Sequence, residues 1–202
     1  IGYSTKEDVR FYLGYDVEGK IQGTLHEFNQ SIGRYAVDNP NIMISLLLPL
    51  CAPMLALIGH KNFGIHFHGS SSCGKTTLSE VMASVSACDV SSWRTTDNAL
   101  ESTALNANDQ CLILDEIGQC KPESLSEAIY MLGNGEGKKR MSSSGETADP
   151  KEFRLIFQSN GELTLKSQIG LSRLNKEVRA GQQVRVIELP CHYKYGAFHS
   201  LH

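Results

Sequence analysis

The chain has 202 residues and a mass of 22.2 kDa, with 41% hydrophobic and 20% charged residues, so collagen-like, coiled-coil and wholly disordered chains are excluded. A formal net charge of −3 and a pI near 6.2 give no global signature of nucleic-acid binding, and any such contact must come from a local basic patch. One domain of this size buries about 70% of its unfolded surface and needs no disulfide or structural metal to fold.

Residues 1–23 carry scattered aromatics (Tyr3, Phe11, Tyr12, Tyr15) and the stretch YDVEGKIQG, which predicts extended segments and turns. Residues 24–38 predict a helix, with Leu25, Phe28, Ile32, Tyr35 and Ala36 at helical spacing. The run 42–58 is nearly all apolar but shorter than the ~20 residues of a membrane span, and it holds Pro49 and Pro53. It is predicted as a core helix kinked at proline. Strands are predicted at 63–69, 91–95, 111–116, 153–160 and 184–189. Helices are predicted at 75–87, from an N-cap at Asp97 to Leu105, and at 122–132 with Pro122 in the first turn. Apolar strands alternating with helices imply a parallel sheet covered on both faces. The segment 133–150 is polar, Gly-rich and basic.

The six cysteines (Cys51, Cys73, Cys88, Cys111, Cys120, Cys191) form no C-x-x-C pair and are expected to be reduced thiols of a cytoplasmic protein. His66 and His68 share one face of the first strand without a third ligand nearby in sequence, so packing or surface roles are expected rather than metal binding. No secretory signal is visible, and a chain beginning at Ile1 is expected to be a piece of a longer polypeptide.

GSSSCGKT (69–76) fits G-x-x-x-x-G-K-[ST] without a gap. In such a loop successive backbone N–H groups must converge on one phosphate, which Gly69 and Gly74 permit, and the helix starting at Lys75 adds its own unpaired N–H groups. The expected phosphate binders are Gly69, Ser70, Ser71, Ser72, Cys73, Gly74, Lys75, Thr76 and Thr77. Lys75 is to reach the β- and γ-phosphates, and the Thr76 hydroxyl a magnesium ion. Cys73 reads as a spectator thiol, with redox control of a thiol near a helix N-terminus as the competing reading.

CLILDE (111–116) follows, with Asp115 forty positions after Lys75. A parallel strand beside the phosphate-loop strand brings Asp115 to the same sheet edge, where it can hold magnesium while Glu116 activates an attacking water. At the tip of FRLIFQSN (153–160), Asn160 is favoured to contact the γ-phosphate or the water. Ser159 is the other candidate, and a plain turn is the third reading.

These motifs together resemble a P-loop NTPase of the additional-strand, catalytic-glutamate division. More narrowly, GSSSCGKTT (69–77), SSWRTTDNALE (91–101), CLILDEIGQ (111–119), EAIYMLGNGEGKKR (127–140), AGQQVRVIELP (180–190) and AFHSLH (197–202) resemble the domain-of-unknown-function 927 family of bacterial and mobile-element proteins. The resemblance covers about residues 40–202. It implies an α/β fold, a three-layer α/β/α sandwich with a central, mostly parallel sheet of five or so strands. It also implies division into a helical N-terminal extension (1–40) and an ATPase domain (41–202) truncated at its C-terminus.

The order of parts is also similar to AAA+ proteins and superfamily 3 helicases, in which a hairpin between the acidic strand and the next strand carries DNA-contacting cations. Lys138, Lys139 and Arg140 occupy that place here, and a solvated surface loop is the competing reading. An arginine reaching a neighbouring subunit's γ-phosphate is implied as well, with Arg179, Arg185 and Arg173 as candidates, and it requires a ring or filament. WRTTDNALES (93–102) is the most distinctive segment. Trp93 is expected in the core, and Arg94 and Asp97 are expected to shape the site or bind a partner.

The leading expectation is a magnesium-dependent ATPase acting as a helicase-like motor on single- or double-stranded DNA, with ATP and Mg2+ as cofactors and a homo-oligomeric state. The alternative is a nucleotide-operated switch or assembly ATPase acting on a protein. Glu116 and the lack of an evident acceptor site argue against a phosphotransferase.

Overall fold

The computed structural model describes residues 23–86, 88–138, 140–141, 147–172 and 185–201. Arg173, Arg179 and Lys139 lie outside the described residues, as do the turns expected over 1–22.

The chain enters through α1 (Leu25–Ser31), capped by Thr24, whose side chain accepts from Glu27 N while the Glu27 carboxylate accepts from Thr24 N. The helix predicted to reach residue 38 stops early, at a turn before Gly33, and a single 3₁₀ turn (Gly33–Ala36) follows. The apolar run makes α2 (Pro40–Cys51), passing through Pro49, then a short α3 (Met54–Leu57) after Pro53. It is apolar on both sides: Ile42, Leu48 and Ala52 are buried, while Met43, Leu47 and Leu50 stay exposed. No helix among the described residues is long and apolar enough to cross a membrane.

The α/β unit comprises β1 (Phe63–His68), α4 (Lys75–Ser86), β2 (Val90–Ser92), α5 (Asp97–Asn106), β3 (Gln110–Asp115) and α6 (Pro122–Asn134). It continues with a short antiparallel pair, β4 (Arg140–Met141) and β5 (Thr147–Ala148), then β6 (Leu155–Gly161), α7 (Leu165–Gly170) and β7 (Val186–Pro190). Two local expectations change. The N-cap of α5 is Thr96, which is extended (φ −82°, ψ 156°) and accepts from Ala99 N at 3.3 Å; Asp97 is the first helical residue. The second strand ends at Ser92 because the chain turns there, with Thr95 N donating to Trp93 O at 2.8 Å.

The main sheet has the order β2-β3-β6-β1-β7, and every pairing is parallel. The expected adjacency of the acidic strand and the phosphate-loop strand is therefore corrected: β6 lies between β1 and β3. Asp115 still reaches the phosphate-loop edge, because parallel pairing brings the C-terminal ends of all three strands to one side.

Side chains alternate along each strand, so two cores form. Leu112, Leu114, Leu155 and Phe157 pack under α5, α6 and α7 with Leu125, Ile129 and Ile169. Ile65, Phe67, Ile113 and Ile156 pack under α2 and α4 with Ile42, Leu78 and Met82. The protein is thus a three-layer α/β/α sandwich around a five-stranded parallel sheet. Gly64 in β1 is required by a close approach, since a Cβ there would run into the Phe157 ring. Gly64→Ala is expected to lower stability by about 1–3 kcal/mol, read as a lower urea midpoint at unchanged slope.

Candidate functional site

The loop after β1 is shaped by its backbone. Ser72 (φ 57°) and Gly74 (φ 97°) adopt left-handed angles, and Gly69 N donates to Gly161 O at 3.2 Å. The C-terminal segment presses on the loop from outside: Ala197 N donates to Cys73 O at 2.7 Å, and a Cβ on Gly74 would lie 2.6 Å from the Phe198 ring. Lys75, almost buried, closes the loop with its ammonium, donating to Gly69 O at 3.0 Å and Ser70 O at 2.7 Å. These are bonds that phosphate oxygens can replace.

A cavity of about 400 Å³ joins the loop to the acidic strand end; Ser71, Gly74, Thr76, Glu116, Asn160 and Glu162 are among its lining residues. Asp115 Oδ1 accepts from Thr76 Oγ1 at 3.4 Å and from Asn160 Nδ2 at 2.5 Å. Asn160 Oδ1 in turn accepts from Glu116 N at 2.9 Å. Glu116 itself is left-handed (φ 58°), a conformation costing a non-glycine residue about 1–3 kcal/mol, and its carboxylate accepts from Gly118 N at 3.2 Å. The hydroxyl of Thr76 and the carboxylate of Asp115 form a small, hard-oxygen donor pair. That suits magnesium, which keeps several waters and takes its remaining ligands from phosphate. Among the described residues, no group of three or more His, Cys, Asp or Glu is placed to hold a metal alone.

Ser159 and Asn160 separate cleanly. Asn160 faces the cavity. Ser159 Oγ lies 2.9 Å from Trp93 Nε1, which donates to it, and 3.1 Å from His66 Nδ1. His66 Nε2 donates to the Leu163 carbonyl at 2.9 Å, so Nδ1 accepts the Ser159 hydroxyl proton. Burial above all pushes the His66 pKa down to about 4. The unfolded chain takes up a proton near pH 6.5 that the folded chain refuses until about pH 4. Stability from this residue is therefore complete above pH 6.5 and falls with pH through that window, by about 3 kcal/mol. Urea unfolding from pH 7.5 to 4.5 should show this decline, and His66→Gln should flatten it; an unchanged slope would assign the decline to other groups.

Ser79, one turn into α4, is a member of the site that the sequence reading did not single out. It accepts from Asn160 Nδ2 at 2.9 Å and donates to Gln158 Oε1 at 3.1 Å, tying the phosphate-loop helix to β6. Its position four residues after Lys75, on the buried face of the helix, was the available signal. The C-terminal strap over the loop had no comparable signal. Beside the loop, an apolar cavity of about 290 Å³ is lined by residues including Ile32, Tyr35, Ile42, Thr77, Val81 and Phe198.

The basic candidates lie elsewhere. Lys138 is exposed and pairs with Asp97 at 2.7 Å. Both line a groove of about 610 Å³ together with Trp93, Arg94, Thr96 and Lys121. Arg140 belongs to β4. Arg185 directly precedes β7, at the sheet edge opposite the phosphate loop; its guanidinium lies 4.9 Å from the Tyr130 ring centroid and donates to Asn134 Oδ1 at 2.8 Å.

The chain matches the family described as Domain of unknown function (DUF927) over residues 11–152. No curated protein sequence matches it. Among solved structures, the SCCmec type IV Cch active helicase aligns with a TM-score of 0.61 at 21% identity, over 83% of this chain and 31% of its own. The JCV helicase aligns with a TM-score of 0.45 at 13% identity, over 83% of this chain and 45% of its own. The Holliday junction branch migration motor RuvB of Thermotoga maritima gives 0.40 at 18%, over 82% and 47%. At 21% identity the likeness to the SCCmec helicase shows the fold. The chain spans about a third of the SCCmec helicase.

Proposed function

This chain belongs to the domain-of-unknown-function 927 family, and from that premise we propose that it binds and hydrolyses ATP with magnesium, as the nucleotide-driven part of a motor acting on DNA. The observation that supports the reading most is the single cavity that Gly74, Thr76, Glu116 and Asn160 share.

In this reading the loop amides and Lys75 hold the β- and γ-phosphates. Thr76 and Asp115 hold magnesium, which screens the phosphate charge. Asn160 fixes the Asp115 carboxylate and, through the Glu116 amide, the turn that presents the base. Glu116 takes the proton of the attacking water. The base of the nucleotide sits in the apolar cavity beside Thr77, against Tyr35 and Phe198. Residues 41–202 act as the ATPase domain, and residues 1–40 as an extension whose Asn39 accepts from His199 N at 2.7 Å. No disulfide joins the described cysteines, and a cytoplasmic location is part of the proposal.

DNA is expected to follow the groove that holds Arg94, Lys121 and Lys138, with Lys139 and Arg140, next in the sequence, as further candidate contacts. The γ-phosphate arginine would come from a neighbouring copy in a ring or filament. Arg179 and Arg173 remain the candidates, and Arg185 would first have to leave Tyr130 and Asn134. Steady-state phosphate release from Mg-ATP, with and without single-stranded DNA, tests the reading. DNA-stimulated turnover that is lost when Lys138, Lys139 and Arg140 become Ala supports the motor. Turnover indifferent to DNA identifies a switch or assembly ATPase, and no turnover under either condition rejects hydrolysis.

A further inference from the structure

Cys73 lies in the phosphate loop, half-buried, with its sulfur 3.6 Å from Lys75 Nζ. Cys191, the residue after β7, is buried and anchored by its N–H to His68 O at 2.7 Å. The two side chains converge on Gly69. A Cβ on that glycine would stand 3.3 Å from Cys73 Sγ and 3.1 Å from Cys191 Cβ. The segments that carry them are tied again by the Ala197 N–H to Cys73 O bond. Sequence separation hides this pairing, because the two cysteines stand 118 positions apart.

We propose that Cys73 and Cys191 are a reversible redox pair: a peroxide joins them in a disulfide that takes the phosphate loop out of its nucleotide-binding shape. Cys73 is the sulfur within reach of solvent, so it attacks first. Its thiolate sulfur bonds to one peroxide oxygen, the O–O bond breaks, and the other oxygen leaves as hydroxide and becomes water. The Cys191 sulfur then attacks the Cys73 sulfenic acid, an S–S bond forms, and the sulfenic hydroxyl leaves with the Cys191 proton as a second water. Two thiols lose two electrons, and one peroxide gains them. Burial above all, and the neighbouring Cys73, push the Cys191 thiol up to about 12, which suits the resolving rather than the attacking role.

The consequence for the loop is geometric. A disulfide requires Cβ atoms about 3.5–4.5 Å apart and a fixed torsion. Cys73 sits between Ser72 and Gly74, whose left-handed angles aim the loop amides, so drawing its side chain onto Cys191 turns those amides and takes the sulfur from Lys75.

The test oxidises the full chain with hydrogen peroxide, digests it without reductant and maps the peptides, while Mg-ATP binding is measured before oxidation, after it, and after dithiothreitol. We expect a Cys73–Cys191 cross-linked peptide, at least a tenfold loss of Mg-ATP affinity, and recovery on reduction. Cys191→Ser should bind Mg-ATP as the unaltered chain does, and after peroxide it should give neither the cross-link nor the recoverable loss. Oxidation of Cys73 without that peptide, or a cross-linked chain that binds as tightly as the reduced one, overturns the proposal. The affinity arm rests on the proposed nucleotide site. A reduced chain that binds no nucleotide rejects that site and the switch together, and the peptide map still decides whether the bond forms.

Discussion

Glu116→Gln is expected to lower Mg-ATP turnover by about 10²–10⁴-fold, the usual contribution of a positioned general base, and to leave Mg-ATP binding nearly unchanged. The substitution keeps the side chain's size and an oxygen able to accept from Gly118 N, so the left-handed turn at position 116 is retained. It removes only the capacity to take a proton. Single-turnover hydrolysis combined with an equilibrium binding measurement separates the two effects. Turnover within a few-fold of the unaltered chain would remove Glu116 from the role of base and direct attention to Glu162, the other carboxylate of the cavity.

Lys75→Met is expected to weaken Mg-ATP binding by about a hundredfold. The ammonium makes two charge-assisted bonds to loop carbonyls, at 3.0 and 2.7 Å, and is to exchange them for phosphate oxygens. Hydrogen bonds to a charged group contribute about 1.5–3 kcal/mol each, so their loss at the phosphates is of the size that a hundredfold rise in Kd requires. Methionine keeps the apolar stem in its nearly buried slot. A circular dichroism melt then distinguishes a lost charge from a lost fold: the melting temperature should move by only a few degrees while affinity collapses.

The phosphate loop was legible because its geometry is local. Gly69, Gly74, Lys75 and Thr76 sit at fixed spacing between an apolar strand and a helix, and the structure places them so. Asp115 and Glu116 were legible for a similar reason, since two acids that end an apolar strand mark a sheet edge. The choice between Ser159 and Asn160 was not, because β6 is buried on both faces and carries no polar alternation. They are separated by tertiary contacts: Trp93 and His66 bond to Ser159, while Asn160 bonds to Asp115 and the Glu116 amide. The insertion of β6 between β1 and β3 is a matter of strand order, which periodicity does not encode. The strap at Ala197 and Phe198, and the meeting of Cys73 with Cys191, depend on contacts between distant parts of the chain and leave no local pattern.

Equilibrium dialysis of radiolabelled ATP with magnesium against the chain bears most directly on the whole reading, because every proposed role presumes that the loop from Gly69 to Thr76 holds a triphosphate. Saturable retention of one nucleotide per chain, displaced by unlabelled ADP and much weakened by Lys75→Met, is the expected result. Retention absent at protein concentrations up to a millimolar, or present and indifferent to Lys75→Met, contradicts it.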